Sequence, residues 1–114
     1  MVRFWSYKRE LKRYQKKINY KINKSLNSGQ IFFGNELLEF ENKFTKKYNS
    51  KYGIAVGSGT DALFIALKSL GIKTGDEVIT AANTAIPTIA AIRNTGAIPI
   101  LVDIREDYLI DVSK

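Results

Sequence analysis

The residues with the clearest chemical potential are Ser58, Gly59, Thr60 and Asp61, inside the stretch AVGSGTDALFIALKSLG that runs from Ala55 to Gly71. Small and hydroxyl-bearing residues sit there between an apolar run and a run with helical spacing. Glycines let the backbone come close to a ligand, and the first amides of a helix are unpaired donors. With the helix dipole, which contributes roughly 0.3–1 kcal/mol, those amides make a site for an anion. Ser58 and Thr60 can add hydroxyl donors. The same residues also suit a plain tight turn at Gly57 and Gly59 with Ser58 or Thr60 capping the helix, and residue types alone leave both readings open. The spacing further matches G-x-G-x-x-A, a variant of the dinucleotide fingerprint. That fingerprint needs an acid about 20 residues on, at the end of the second strand, to hold a ribose. Asp76 and Glu77 come near that distance but precede the strand, whose end reads AANT. GSGTDA also lacks the G-K-[ST] ending of the phosphate loop of nucleotide hydrolases.

The elements that must position these residues follow from periodicity. Tyr7, Leu11, Tyr14, Ile18 and Ile22 recur at steps of three and four, an apolar stripe on a helix otherwise filled by Lys and Arg. Asn27–Gly29 stops it, with Gly29 as a left-handed cap. A second helix starts near Asn35 as N-cap, carries Glu36 in its first turn and turns Leu37, Phe40, Phe44 and Tyr48 to one face. From Tyr52 the pattern changes. YGIAVG reads as a buried strand, Thr60–Leu70 as a helix with Leu63, Leu67 and Leu70 inward, EVITAA as a second strand, Thr84–Thr95 as a helix with Pro87 tolerated in its first turn, and Ile98–Ile104 as a third strand. The expectation is two leading helices, residues 1–51, followed from residue 52 to 114 by β-α-β-α-β with a mainly parallel sheet covered on both faces. In such a sheet ligands gather at the carboxyl ends of the strands, where GSGTDA falls.

Composition narrows the chemistry. The 114 residues suffice for one small domain, and 45% hydrophobic with 25% charged residues is ordinary for a soluble globular protein. There is no cysteine and no histidine, so disulfides, thiolate metal sites and the commonest general base are absent. The lack of cysteine suits a reducing compartment, and the expected location is the cytoplasm. No leader is legible in MVRFWSYKREL, and the charge-free run Val78–Ile92 is too short for a bilayer, so no membrane association is expected. The net charge of +7 is uneven: residues 1–52 hold 13 Lys and Arg against 4 Glu, or +9, and residues 53–114 hold 5 against 7 Asp and Glu, or −2. The basic leading helix reads as a solvated face opposite its apolar stripe. No aromatics interleave with its charges as a nucleic-acid platform requires, so nucleic acid is not an expected partner.

Five parts in order carry a resemblance: SGQIFFGNELLEFE, AVGSGTDAL, GDEVI, NTAIPT and GAIPILVDI. From about Lys24 to Ile104 the chain resembles the start of the DegT/DnrJ/StrS family of nucleotide-sugar aminotransferases. The resemblance implies the aspartate-aminotransferase type of α/β fold (fold type I) and pyridoxal 5'-phosphate (PLP) as cofactor, with this chain forming the N-terminal part of the large domain. It implies that the anion is the PLP phosphate, held by Gly59, Thr60 and Asp61. Thr60 would give its hydroxyl and amide and Asp61 its amide alone, with the Asp61 carboxylate turned away. Ser58 is a lesser candidate. Family members place an aromatic residue after an N-T step to stack on the cofactor ring; here Ala85 stands there, a departure that leaves Ala85 a cofactor contact by position. Phe32–Gly34 resembles the segment near the substrate sugar, and also suits a hydrophobic staple into the second helix.

Transamination also needs a Schiff-base lysine and an acid on the ring nitrogen. After Gly53 the lysines are Lys68, Lys73 and Lys114, none placed to reach a cofactor at the glycine turn, and Asp103 is not promoted to the acid. The resemblance implies that both groups lie beyond Lys114, that this chain is an N-terminal piece, and that alone it is inactive and short of sheet partners. No residue here is assigned a catalytic or metal-ligating role. The whole protein would move an amino group from an amino acid, glutamate by family habit, to a nucleotide-linked keto-sugar for polysaccharide or related glycoside synthesis, as a homodimer. A PLP-dependent sugar dehydratase, a non-catalytic regulator and a nicotinamide-binding domain are the alternatives.

Overall fold

Amphipathic spacing and good end signals make α1 from Tyr7–Ser28 and α2 from Asn35–Tyr48 in the computed structural model, which describes residues 6–114. The opening residues read for a leader lie in part outside the described residues. Gly29 ends α1 in the left-handed region at φ 71°, the conformation expected of it. At the head of α2 the cap is Gly34, and Asn35 is the first helical residue, one step inside the expected start. The chain divides at Ala55/Val56 into two units, each with its own internal contacts.

In the first unit, charge rather than core joins α1 to α2. Lys21 Nζ meets Glu36 Oε2 at 2.7 Å and Glu39 Oε2 at 3.6 Å, and Lys24 Nζ meets Glu36 Oε1 at 3.3 Å. The α1 stripe is exposed along its length, from Tyr7 to Leu26. Along α2, Phe40, Phe44 and Tyr48 stack at i, i+4 spacing, with ring centroids 5.9 and 4.5 Å apart.

The second unit holds α3 (Gly59–Ser69), β1 (Glu77–Ala81), α4 (Ile86–Asn94) and β2 (Ile98–Val102). β1 and β2 pair in parallel from Glu77↔Ile98 to Ala81↔Val102, joined by the α4 crossover. α3 packs on α4, and α4 on β2. The fully buried positions among the described residues are Ala91, Ile92, Thr95 and Ala97, all at the end of α4 and the turn into β2. Pro87 sits in the first turn of α4, where its missing N–H costs nothing.

Two expectations change. Tyr52–Gly57 is not laid into a sheet: the sheet of the described residues has two strands, and the segment has no ladder partners. Apolar content marks a strand, but a ladder needs a neighbour's amides and carbonyls in register, and no described strand pairs with this segment. The inward face of α3 also shifts. Phe64 and Leu67 are half-buried while Leu63 and Leu70 are exposed, because α3 is covered by α4 alone, along a narrower stripe than a two-sided layer would need. The sheet is likewise incompletely covered, with Ile79 and Ile98 exposed on one face and Leu101 on the other.

The Lys21 and Lys24 ammonium groups hold the Glu36 carboxyl below the usual carboxylate range, chiefly through the hydrogen bond from Lys21. A depressed folded-state pKa contributes stability above the ordinary glutamate value that is lost as pH falls through the lowered one. An NMR carboxyl titration should therefore find Glu36 titrating low, and Lys21→Met should move it back toward the ordinary glutamate value.

Candidate anion-binding site

The head of α3 is built by a reciprocal cap. Ser58 is extended at φ −157°, and its Oγ accepts from the Asp61 N–H at 3.1 Å while its O–H donates to Asp61 Oδ2 at 2.8 Å. The Ser58 carbonyl accepts the Ala62 N–H at 3.0 Å. The S-x-x-D spacing places the Asp61 carboxylate on the Ser58 hydroxyl, a variant of the capping box, in which the third helical residue would take the cap's backbone N–H instead. This box differs from the expected roles. The Asp61 N–H serves the cap instead of facing outward, and its carboxylate turns onto the Ser58 hydroxyl. Repulsion from an anion bound at the head of α3 would thus be limited by the carboxylate's own hydrogen bond to Ser58 and by its place in the positive first turn.

The donors left over are the ones that matter. Among the described residues, the amides of Gly59 and Thr60 and the Thr60 hydroxyl have no hydrogen-bond partner. Gly59 is exposed, and a Cβ built on it meets nothing within 4 Å, so the space above the first turn is open. An anion with several oxygens fits this donor set: two unpartnered amides, one hydroxyl and the positive end of an 11-residue helix.

Ala85 is the N-cap residue of α4, exposed and extended, with no side chain to cap the helix. It follows β1 at that strand's carboxyl end. α3 leads to the start of β1 through the turn at 71–76, and α3 packs on α4. No hydrogen bond joins Ala85 to Ser58–Asp61 among the described residues. Beside it, the Thr84 hydroxyl donates to Thr88 Oγ1 at 2.9 Å, a local bond between side chains. The lysines after Gly53 are engaged elsewhere or lie in turns. Lys68 Nζ donates to the Ile72 carbonyl at 3.4 Å, Lys114 faces Asp103 at 3.6 Å, and Lys73 stands in the turn closed by its N–H on Asp76 Oδ2. Among the described residues no cluster of three metal-ligating acids exists, and no helix is long and apolar enough to cross a membrane.

The sequence profile of the DegT/DnrJ/EryC1/StrS aminotransferase family matches residues 12–114. The chain belongs to this family. A dTDP-3-amino-3,4,6-trideoxy-alpha-D-glucose transaminase of Micromonospora megalomicea subsp. nigra is 39% identical over 108 residues, covering 94% of this chain and 29% of that relative. The crystal structure of DesV from S. venezuelae superposes with a TM-score of 0.87 at 37% identity, over 93% of this chain and 29% of that one. The PLP form of Spr1654 from Streptococcus pneumoniae, a putative sugar aminotransferase by its own description, superposes at 0.74 with 32% identity, over 77% and 22%. The α/β arrangement expected from the sequence is thus the family's fold, and the chain spans under a third of the length of these relatives.

Because Ser58 caps α3 through two hydrogen bonds, Ser58→Ala should destabilise the second unit by about 1 kcal/mol, and Ser58→Gly by a few tenths. Denaturant melts of the three proteins measure the difference.

Proposed function

We propose that the head of α3 holds the phosphate of PLP, and that the protein carrying this chain is an aminotransferase acting on a nucleotide-linked keto-sugar. The observation behind this reading is the set of unpartnered donors at Gly59 and Thr60 under open space, in a chain of the aminotransferase family. When bound, PLP is the electron sink that lets an amino group leave one carbon and join another. The residues here do the holding. The Gly59 and Thr60 amides and the Thr60 hydroxyl take phosphate oxygens. Ser58 and Asp61 keep that turn rigid from below. Asp61 is a support whose amide the cap already uses, and Ala85, the exposed residue at the head of α4, would offer the cofactor a small apolar contact.

The sugar half of the reading rests on a second feature. A cavity of about 360 Å³ lies at the link between α1 and α2, lined by Lys24, Ser28, Gln30, Phe32, Phe33 and Asn35 among others. Aromatic faces beside polar side chains are the mixture a sugar ring needs. The dTDP-sugar named for the Micromonospora relative supports a nucleotide-linked substrate here. Glutamate as amino donor, a homodimeric assembly and a cytoplasmic location complete the proposal.

The complete polypeptide should take up PLP and, with glutamate and a dTDP-linked keto-sugar, yield the amino sugar by mass spectrometry. Thr60→Val should raise the Kd for PLP about ten-fold, as expected for one lost hydrogen bond to a charged group. Uptake of a nicotinamide dinucleotide in place of PLP, or PLP uptake with loss of the sugar hydroxyl and no amino transfer, would overturn the assignment in favour of a nicotinamide-binding domain or a dehydratase.

A further inference from the structure

The Asp61 carboxylate puts a negative charge into the first turn of α3, and no cation pairs with it among the described residues. Two neighbours confine that charge. The Ser58 hydroxyl donates to its Oδ2 at 2.8 Å. The same Oδ2 lies 3.0 Å from the point where a side chain on Gly57 would begin, and apart from the chain neighbours of Gly57 no other atom comes within 4 Å of that point. That distance is shorter than ordinary contact between non-bonded atoms. Gly71, Gly75 and Gly96 of this unit have positive φ, which accounts for them, but Gly57 does not. Its φ does not call for glycine, and what the glycine supplies is room for the carboxylate.

From these contacts we propose that Gly57 is a positioning residue for the anion site: it leaves the seat in which Ser58 holds the Asp61 carboxylate, so that this charge does not contend with the bound anion for the free amides of Gly59 and Thr60. This inference rests on the reading of the α3 head as a PLP phosphate site. Residues 57–61 all lie in the second unit. A carboxylate released in a first helical turn is itself an anion, drawn by the same dipole and the same unpaired amides. The Ser58 hydroxyl holds that carboxylate only while Oδ2 stays within hydrogen-bond reach, and a methyl group at position 57 would press on the very atom that accepts the bond. Ser58 thus acts on the site through Asp61, with its hydroxyl hydrogen committed to the carboxylate and not offered to a ligand.

The test uses the complete polypeptide as wild type, Gly57→Ala and Gly57→Val, each with Asp61 kept and with Asp61→Asn. With Asp61 kept, the Kd for PLP at low ionic strength should rise about five-fold in Gly57→Ala and further in Gly57→Val. Once Asp61→Asn has removed the charge, adding either substitution at position 57 should change the Kd by less than about two-fold. The rise should shrink in high salt, because the carboxylate is exposed. The Kd for pyridoxal, which lacks the phosphate, should not follow position 57 in either set. In crystals of ligand-free Gly57→Ala, Asp61 Oδ2 should stand more than about 3.5 Å from the Ser58 hydroxyl oxygen. An equal rise with and without the Asp61 charge, no rise in either Gly57 variant, equal weakening of PLP and pyridoxal, or a Ser58–Asp61 bond kept in the crystals would each overturn the proposal. A wild-type protein that takes up no PLP fails the cofactor reading instead, and a kept Ser58–Asp61 bond then rejects the seat as well.

Discussion

The first turn of α3 has more hydrogen-bond donors than its own residues have acceptors for them. Every α-helix begins with orphan amides, and a fold satisfies them with caps, water or a ligand. Here the Ser58–Asp61 box takes the Asp61 N–H, and the amides of Gly59 and Thr60 face open space. Glycine there leaves the backbone itself as the recognition surface, a suitable arrangement for a group as evenly charged as a phosphate.

The surroundings of this turn are sparsely packed. Full burial among the described residues is confined to four positions near the end of α4, while the stripe of α1, the aromatic row of α2 and one face of the sheet stay exposed. In the first unit the α1–α2 pairing leans on Lys–Glu contacts that water and salt screen. The exposed apolar faces are in keeping with a chain that spans under a third of its relatives' length.

Much of the fold was legible in residue order. The 3.6-residue stripes placed α1, α2 and α4 to within a residue or two, Gly29 ended α1 as its freedom at positive φ allows, and two of three expected strands pair in parallel. The failure of the first expected strand is instructive. Tyr52–Gly57 has strand-like composition, but composition describes one chain whereas a ladder involves two. The inward positions of α3 were misjudged for a related reason: Leu63 and Leu70 fit a helical stripe, yet which stripe is covered depends on where α4 lies.

At the site, the residue types alone determined that a glycine turn with hydroxyls opens a helix, because Ser, Gly and Thr have local preferences that act within a few bonds. They also carried the family, through five motifs in register. Which donors remain free was a tertiary matter. Ser58 and Asp61 face each other only once the turn is formed, and that contact removes one expected donor and leaves two. The hydrogen bond of Glu41 to the Ala55 N–H was likewise beyond the reach of local pattern, since the two residues lie 14 apart in the chain.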